Sequence, residues 1–339
     1  MAPATDMDGL RAAWRALFGS EGGEGWKTIP IAGGPHWTLL AGRHLPGDEE
    51  ALLVGFRNGR VATTAHLPQA HGFEVSLFSS IPSLGDGVWI VVARRSGGRP
   101  ELFAAMASDL VRLLEATGAH DEDALPGRLI ARIRAWQEFM DRRPPDVLSP
   151  ESEVGLLGEL VVLGRMVTAG MPGRNALAAW HGPLDGLQDF IIDDGAIEVK
   201  TTIAMGGFLA MVNCLEQLDD RFRRPLFLAA VRLSLDPSGV SLPEMADEIR
   251  KILCASFSSL DVFEQLLLQA GLLQMSTEHY TRRFNVRSVS VFEVLDNFPR
   301  LTREGLHPAI RKARYEVDLD LAGALDIGLV GALKQLGAI

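Results

Sequence analysis

The chain is expected to be an α/β protein with α+β elements, an N-terminal α+β domain followed by a mixed sheet flanked by helices. Three features carry that expectation. Residues 1–120 alternate short apolar runs with Gly/Pro turns and close on a helix-period segment, the pattern of a mostly antiparallel sheet with helices to one side. Residues 151–339 run helix, hairpin, strands, helices and strand. The 339 residues are 47% hydrophobic, enough for a sizeable core in one large or two ordinary domains.

In chain order, a short helix is expected around Leu10–Phe18, then strands at Trp37–Ala41, Ala51–Phe56, Phe73–Leu77 and Val88–Ala93. A helix over Glu101–Thr117 follows, with Leu102, Met106, Leu110, Leu113 and Leu114 in helical register. Residues 121–150 hold a second helix, Leu129–Arg142, and a Pro-rich linker at Arg143-Pro-Pro-Asp146. Ser149-Pro150-Glu-Ser-Glu153 reads as a helix start with acids in its first turn, opening a helix over 151–170. That helix is nearly all apolar, and Glu159 is its only charge between Glu153 and Arg165, so a partner or a metal is expected for Glu159. Gly155 and Gly158 strip one side of the helix for close approach, at about 1 kcal/mol each relative to Ala. Trp180-His-Gly-Pro-Leu-Asp-Gly186 is dense in turn residues, and His181 is read as a hydrogen-bonded turn residue. Beyond a hairpin over 187–202 come strands near Phe208–Val212 and Leu226–Leu233, helices Leu242–Ala255 and Leu260–Leu273, and a strand near Val286–Val294. A strand Tyr315–Leu319 and a helix Ala322–Leu336 are read as additions to this core.

The hairpin carries the chemistry. Asp194-Gly195 lies between two apolar runs and is a favoured pair for a two-residue type I′ turn, whose central positions take positive φ. That turn sets Asp193 opposite Ala196, Ile191 opposite Glu198 and Asp189 opposite Lys200. Side chains alternate along a strand, so Asp189, Ile191, Glu198 and Lys200 share one face, and Phe190, Ile192, Ile197 and Val199 share the helix-packed other. Cross-strand neighbours lie about 5 Å apart and diagonal ones about 7–8 Å, near enough for two carboxylates to share a cation.

Magnesium takes oxygen ligands, usually one or two carboxylates completed by waters and phosphate oxygens. Asp189 and Glu198 offer those carboxylates. Lys200 either activates a metal-bound water or offsets charge developing on phosphorus, and both roles stay open. An acid-x-Lys pair also describes an ordinary ion pair on a solvated strand, and spacing alone does not choose between the two. No zinc-ligand spacing, P-loop or dinucleotide fingerprint occurs.

Taken together, Gly155-Leu-Leu-Gly-Glu-Leu160, Trp180-His-Gly-Pro183, Asp189-Phe190 and Ile197-Glu-Val-Lys-Thr-Thr202 resemble the PD-(D/E)XK nuclease superfamily. More closely, they resemble a bacterial family named for that motif and often encoded beside restriction or phage-defence genes. The specific match spans residues 151–202, with weaker agreement at Leu215-Glu-Gln-Leu218 and Asn297-Phe-Pro-Arg-Leu301. The resemblance implies a restriction-endonuclease-like mixed sheet flanked by helices, and a DNA endonuclease using Mg²⁺, with Mn²⁺ as substitute. It implies Asp189 and Glu198 as metal ligands, Lys200 as the catalytic lysine and Glu159 as the helical acid that joins or orients the metal shell. Gln217 is a secondary candidate for the metal shell or a phosphate. Double-strand cleavage needs two sites, so a homodimer is expected, and restriction or defence proteins are candidate partners. A non-catalytic subunit that binds DNA or protein with the same fold is the alternative. One departure stands out: Gln188 precedes Asp189 where the superfamily's name has proline.

The net charge of −10 runs against nucleic-acid binding, which usually leaves a basic footprint. The charge is uneven, however. Between Tyr280 and Arg314 there are eight basic and three acidic residues, and Arg282, Arg283, Arg287, Arg311 and Lys312 are the candidate phosphate contacts. Arg221, Arg223 and Arg224 form a second cluster. The N-terminal domain is assigned a DNA-contact or dimerisation role. No run of eighteen apolar residues occurs, the N-terminus lacks a signal-peptide pattern, and the two cysteines, Cys214 and Cys254, read as buried thiols. A cytoplasmic setting without membrane contact is expected.

Overall fold

The computed structural model describes residues 7–19, 24–57, 67–68, 70, 72–116, 124–142, 147–184, 186–254, 257–307 and 309–339. The chain divides into two compact units, Met1–Pro144 and Pro145–Ile339. The linker expected at 143–146 lies outside the described residues, as do the expected helix ends at Thr117 and Ala255.

The first unit comprises α1 (Met7–Leu17), β1 (Gly25–Gly33), β2 (Trp37–Leu45), β3 (Glu49–Phe56), β4 (Phe73–Ile81), β5 (Gly85–Arg94), α2 (Pro100–Ala116) and α3 (Leu125–Arg142). Its strands form one antiparallel sheet in the order β1-β2-β3-β5-β4. Strand β1 escapes sequence reading because Pro30 interrupts it. The ladder shifts between Pro30 and Ala32, and β1 lies at the sheet edge, where a missing N–H is tolerated. Amphipathic α1 buries Leu10, Ala13, Trp14 and Leu17, and the Trp14 indole N–H donates to the Ala51 carbonyl at 2.9 Å. Helix α3 packs on α2 through Asp109, whose carboxylate accepts from Arg132 at 3.1 Å and from the Trp136 indole at 2.8 Å.

The second unit comprises α4 (Pro150–Thr168), α5 (Gly173–Ala179), β6 (Phe190–Ile192), β7 (Gly195–Thr202), β8 (Leu209–Val212), β9 (Leu226–Val240), α6 (Leu242–Leu253), α7 (Phe257–Gln269), β10 (Phe284–Glu293), β11 (Tyr315–Asp318) and α8 (Gly328–Gln335). Four strands form a mixed sheet ordered β10-β9-β7-β6, with β7 and β9 parallel and the other pairs antiparallel; β8 and β11 form a separate ribbon. This is an α+β arrangement.

Both faces of the mixed sheet are covered. On one, Ile197, Val199, Phe227, Ala229 and Val231 join a core with Leu157, Leu160, Leu163 and Ile249 of the helices. On the other, Ala196, Leu226, Leu228 and Ala230 pack with Phe208, Val212, Leu218 and Val317. This two-sided burial explains the near-continuous apolar run of β9.

The C-terminal elements read as additions pack closely on this core. Strand β11 pairs with β8, and α8 buries Leu329, Ala332 and Leu333. Helix α8 starts at Gly328, six residues later than expected from Ala322, because Asp326 is engaged with the sheet. Its carboxylate accepts from the Val291 N–H at 2.8 Å and the Gly328 N–H at 2.9 Å, and Gly328 turns the chain with φ of +66°. The cysteine reading is also corrected: Cys214 is half-buried and Cys254 is exposed at the end of α6. Among the described residues no helix is long and apolar enough to cross a membrane.

Candidate active site

The hairpin forms, with a register two residues from the one expected. Phe190 pairs with Ile197, Ile191 with Ala196 and Ile192 with Gly195, leaving Asp193 and Asp194 as the loop. Asp193 takes the positive φ, 49°, a conformation aspartate tolerates. Gly195 is a strand residue needed for space: a Cβ there would meet Leu336 Cδ2 at 2.3 Å and the Pro225 carbonyl oxygen at 2.6 Å. A shift of two preserves the faces, so Asp189, Glu198 and Lys200 still share one side. Continuing the ladder one step sets Asp189 across from Glu198, where Cβ atoms lie about 4.5–5.5 Å apart.

Backbone and side-chain contacts fix each carboxylate. The Asp189 carbonyl accepts from the backbone N–H groups of His181 (2.7 Å) and Gly182 (3.1 Å), and its Oδ2 accepts from the Val199 N–H at 2.7 Å. Glu198 is 2% exposed, and its Oε1 accepts from Lys200 Nζ at 2.7 Å and Gln217 Nε2 at 2.5 Å. Its Oε2 is buried without a hydrogen-bond partner. Glu159 reaches the same region from α4, where its Oε2 accepts from the Trp180 indole N–H at 2.7 Å.

Two glycines open the space. A Cβ on Gly182 would lie 2.3 Å from Glu159 Oε2 and 3.1 Å from Asp189 Oδ1, so the Trp-His-Gly-Pro turn is shaped around both acids. A Cβ on Gly158 would lie 1.8 Å from Thr201 Oγ1, so this glycine lets α4 rest on β7 beside the site. Gly155, expected to serve the same purpose, has nothing within 4 Å of the added carbon. His181 acts through its backbone, as the N–H above and as a carbonyl accepting from Leu184 and Gly186.

Burial opposes the ionisation of all three acids, and the Asp189 charge adds to it at Glu198 and Glu159. Burial, then the neighbouring Asp189 charge, pushes the Glu198 carboxyl up to about 8, with Lys200 opposing. Burial raises Asp189 to about 6 against the Val199 N–H bond and Lys200. Glu159 is raised well above the usual carboxylate range, by burial first and by Asp189 next. One lysine does not balance three such groups.

That imbalance, with the orphaned Glu198 oxygen, fits a hard cation: every offered donor is oxygen, and a second charge would satisfy the atom that protein leaves bare. Among the described residues, no three His, Cys, Asp or Glu side chains converge as a closed metal cluster. Magnesium does not require one, since it keeps several waters and uses one or two carboxylates.

A family model described as "Putative PD-(D/E)XK family member, (DUF4420)" matches residues 10–320. The chain belongs to that family. No curated protein and no solved structure matches the chain. Membership of a PD-(D/E)XK family indicates a nuclease-type fold and a hydrolase class.

The basic candidates of this PD-(D/E)XK chain are dispersed in their roles. Arg282 pairs with buried Glu153 at 2.5 Å and donates to the Pro150 carbonyl at 2.7 Å, tying the start of α4 to the segment that leads into β10. Arg283 pairs with Glu244 at 2.8 Å. Arg287 is exposed at the bulge of β10, with Nε donating to Ser234 Oγ at 2.7 Å, and Arg311 and Lys312 are exposed. Arg221 pairs with Asp219 and Glu304, Arg224 with Asp220, and Arg223 donates to the Asp193 carbonyl. Trp180, Gly182 and Gln188 join the site surroundings without having been singled out for it, because their roles arise from contacts distant in sequence.

Proposed function

We propose that this protein is a magnesium-dependent endonuclease that hydrolyses DNA phosphodiester bonds, working in restriction or phage defence. The observation that carries the reading is the buried, partnerless Oε2 of Glu198, facing the same side of the sheet as Asp189 and Lys200. Family membership supports the hydrolase class.

In this reading Asp189 and Glu198 hold the cation and Glu159, steadied by Trp180, supports them. When bound, the cation polarises a phosphoryl oxygen and makes bound water a better nucleophile. Lys200, 2.7 Å from Glu198, is placed to hold the attacking water or to offset charge as the bond to phosphorus forms and the leaving oxygen departs. The Val199 N–H keeps Asp189 oriented through its Oδ2.

Supercoiled plasmid, methylated and unmethylated, incubated with the full chain and Mg²⁺ or Mn²⁺ tests the reading. Nicking or linearisation is expected from the wild type and a loss of about 10²-fold or more from Lys200→Ala, on the scale of removing one electrostatic stabiliser. Binding of DNA without any cleavage under either metal would instead favour a non-catalytic subunit.

A further inference from the structure

We propose that Gln217, held in turn by Gln188, is the positioning residue that sets the Glu198 carboxylate with one oxygen committed to protein and the other turned free. The inference rests on the reading of Glu198 as a cation ligand. A carboxylate on a strand can rotate about its side-chain bonds, and Lys200, a flexible point charge, follows it without defining its direction. Gln217 supplies the direction, since its Nε2 donates to the same Glu198 oxygen that Lys200 binds, at 2.5 Å. With both donors on Oε1, Oε2 is the atom left bare.

The amide cannot serve this purpose unless its nitrogen, not its oxygen, faces Glu198. Asn213 decides that: its backbone N–H donates to Gln217 Oε1 at 3.0 Å, so the oxygen end is taken and the NH₂ end points at the carboxylate. The 3₁₀ turn Leu215–Leu218 that carries Gln217 is anchored by Leu215 and Leu218 in the core beneath it.

Gln188 completes the chain of contacts. It occupies the bend just before β6, is 1% exposed, and donates from Nε2 to the Gln217 carbonyl at 3.3 Å. A buried amide must find such a partner. The residue standing where the superfamily's name has proline thus links the bend bearing Asp189 to the turn bearing Gln217. A proline has no side-chain donor for this contact.

Calorimetric titration of the full chain with Mn²⁺, alongside thermal unfolding, tests the assignment. Gln217→Met and Gln188→Met keep side-chain length and remove the donors. Mn²⁺ affinity is expected to fall about 10–100-fold for Gln217→Met, the usual effect of removing a residue that orients a ligand, and less for Gln188→Met, with unfolding midpoints little changed. Gln217→Asn, which keeps the amide but shortens its reach, serves if the methionine variant fails to fold, and the same loss is expected. Half-maximal Mg²⁺ for cleavage should rise in parallel while KM for DNA stays constant. Unchanged Mn²⁺ affinity in the Gln217 variants, with uptake lost in Asp189→Ala, overturns the positioning role and leaves the metal site standing. If the wild type takes up no Mn²⁺, the cation reading falls. A metal-free crystal structure of Gln217→Met then still decides the inference: a Glu198 carboxylate rotated from its place supports it, and one unmoved overturns it.

Discussion

Glu198 resists ionisation where it sits: it is 2% exposed and lies beside Asp189, and burial and that neighbouring charge outweigh the pull of Lys200. Its carboxyl holds a proton more tightly folded than unfolded, so its contribution to stability is full below the ordinary carboxylate range and is lost as pH rises toward about 8. Asp189, raised to about 6, adds to the same trend at lower pH. Metal-free protein should therefore melt at a higher temperature near pH 5 than near pH 8. Glu198→Gln should flatten the difference and raise the midpoint near pH 8, by about 2–4 °C for each kcal/mol recovered. Thermal scans of the two proteins without metal check this; a Glu198→Gln midpoint at pH 8 equal to or below that of the wild type would contradict it.

The contact between α4 and β7 governs the element scale. Gly158 and Gly155 sit three residues apart in one helix, yet only Gly158 faces the strand. Gly158→Ala drives a methyl into Thr201, whose Cβ is 2.9 Å from the added carbon, and should destabilise by about 1–3 kcal/mol. Gly155→Ala meets open space and should stabilise by up to about 1 kcal/mol through helix propensity. Denaturant unfolding of both variants reads the difference, and equal effects would show that helix propensity, not the strand contact, dominates. The hairpin marks how far the sequence was legible at this scale. The faces of Asp189, Glu198 and Lys200 follow from alternation alone and survive any even shift of register. The pairing itself was misjudged, because Gly195 looks like a turn glycine in sequence while its Cα hydrogens face Leu336 and Pro225, residues far along the chain. Pro30 hid β1 in a similar way, since only the finished sheet shows that it lies at an edge.

At the scale of the whole molecule, the proposed nuclease reading requires a chain of net charge −10 to meet DNA through local basic surface. The segment from Tyr280 to Arg314 was legible as basic, but which of its charges are spent inside the fold was not, because ion pairs such as Arg282 with Glu153 join residues 129 apart. Arg282→Ala strands that buried acid and should cost about 1–3 kcal/mol of stability. Arg311→Ala with Lys312→Ala should leave stability unchanged, weaken DNA binding across sequences and lower the salt slope of binding by about 2. Filter binding at several salt concentrations separates the two, and an unchanged slope for the double variant would remove this surface from the interface. The same dependence on distant contacts kept Trp180 and Gly182 from being recognised beside Glu159, although the Trp-His-Gly-Pro motif itself was plain. The claim on which all of this turns is that Asp189 and Glu198 share a divalent cation. A crystal soaked in Mn²⁺ tests it most directly: an anomalous peak within about 2.0–2.6 Å of a carboxylate oxygen of each residue is the predicted result, and full-occupancy Mn²⁺ elsewhere with none between these two side chains would contradict it.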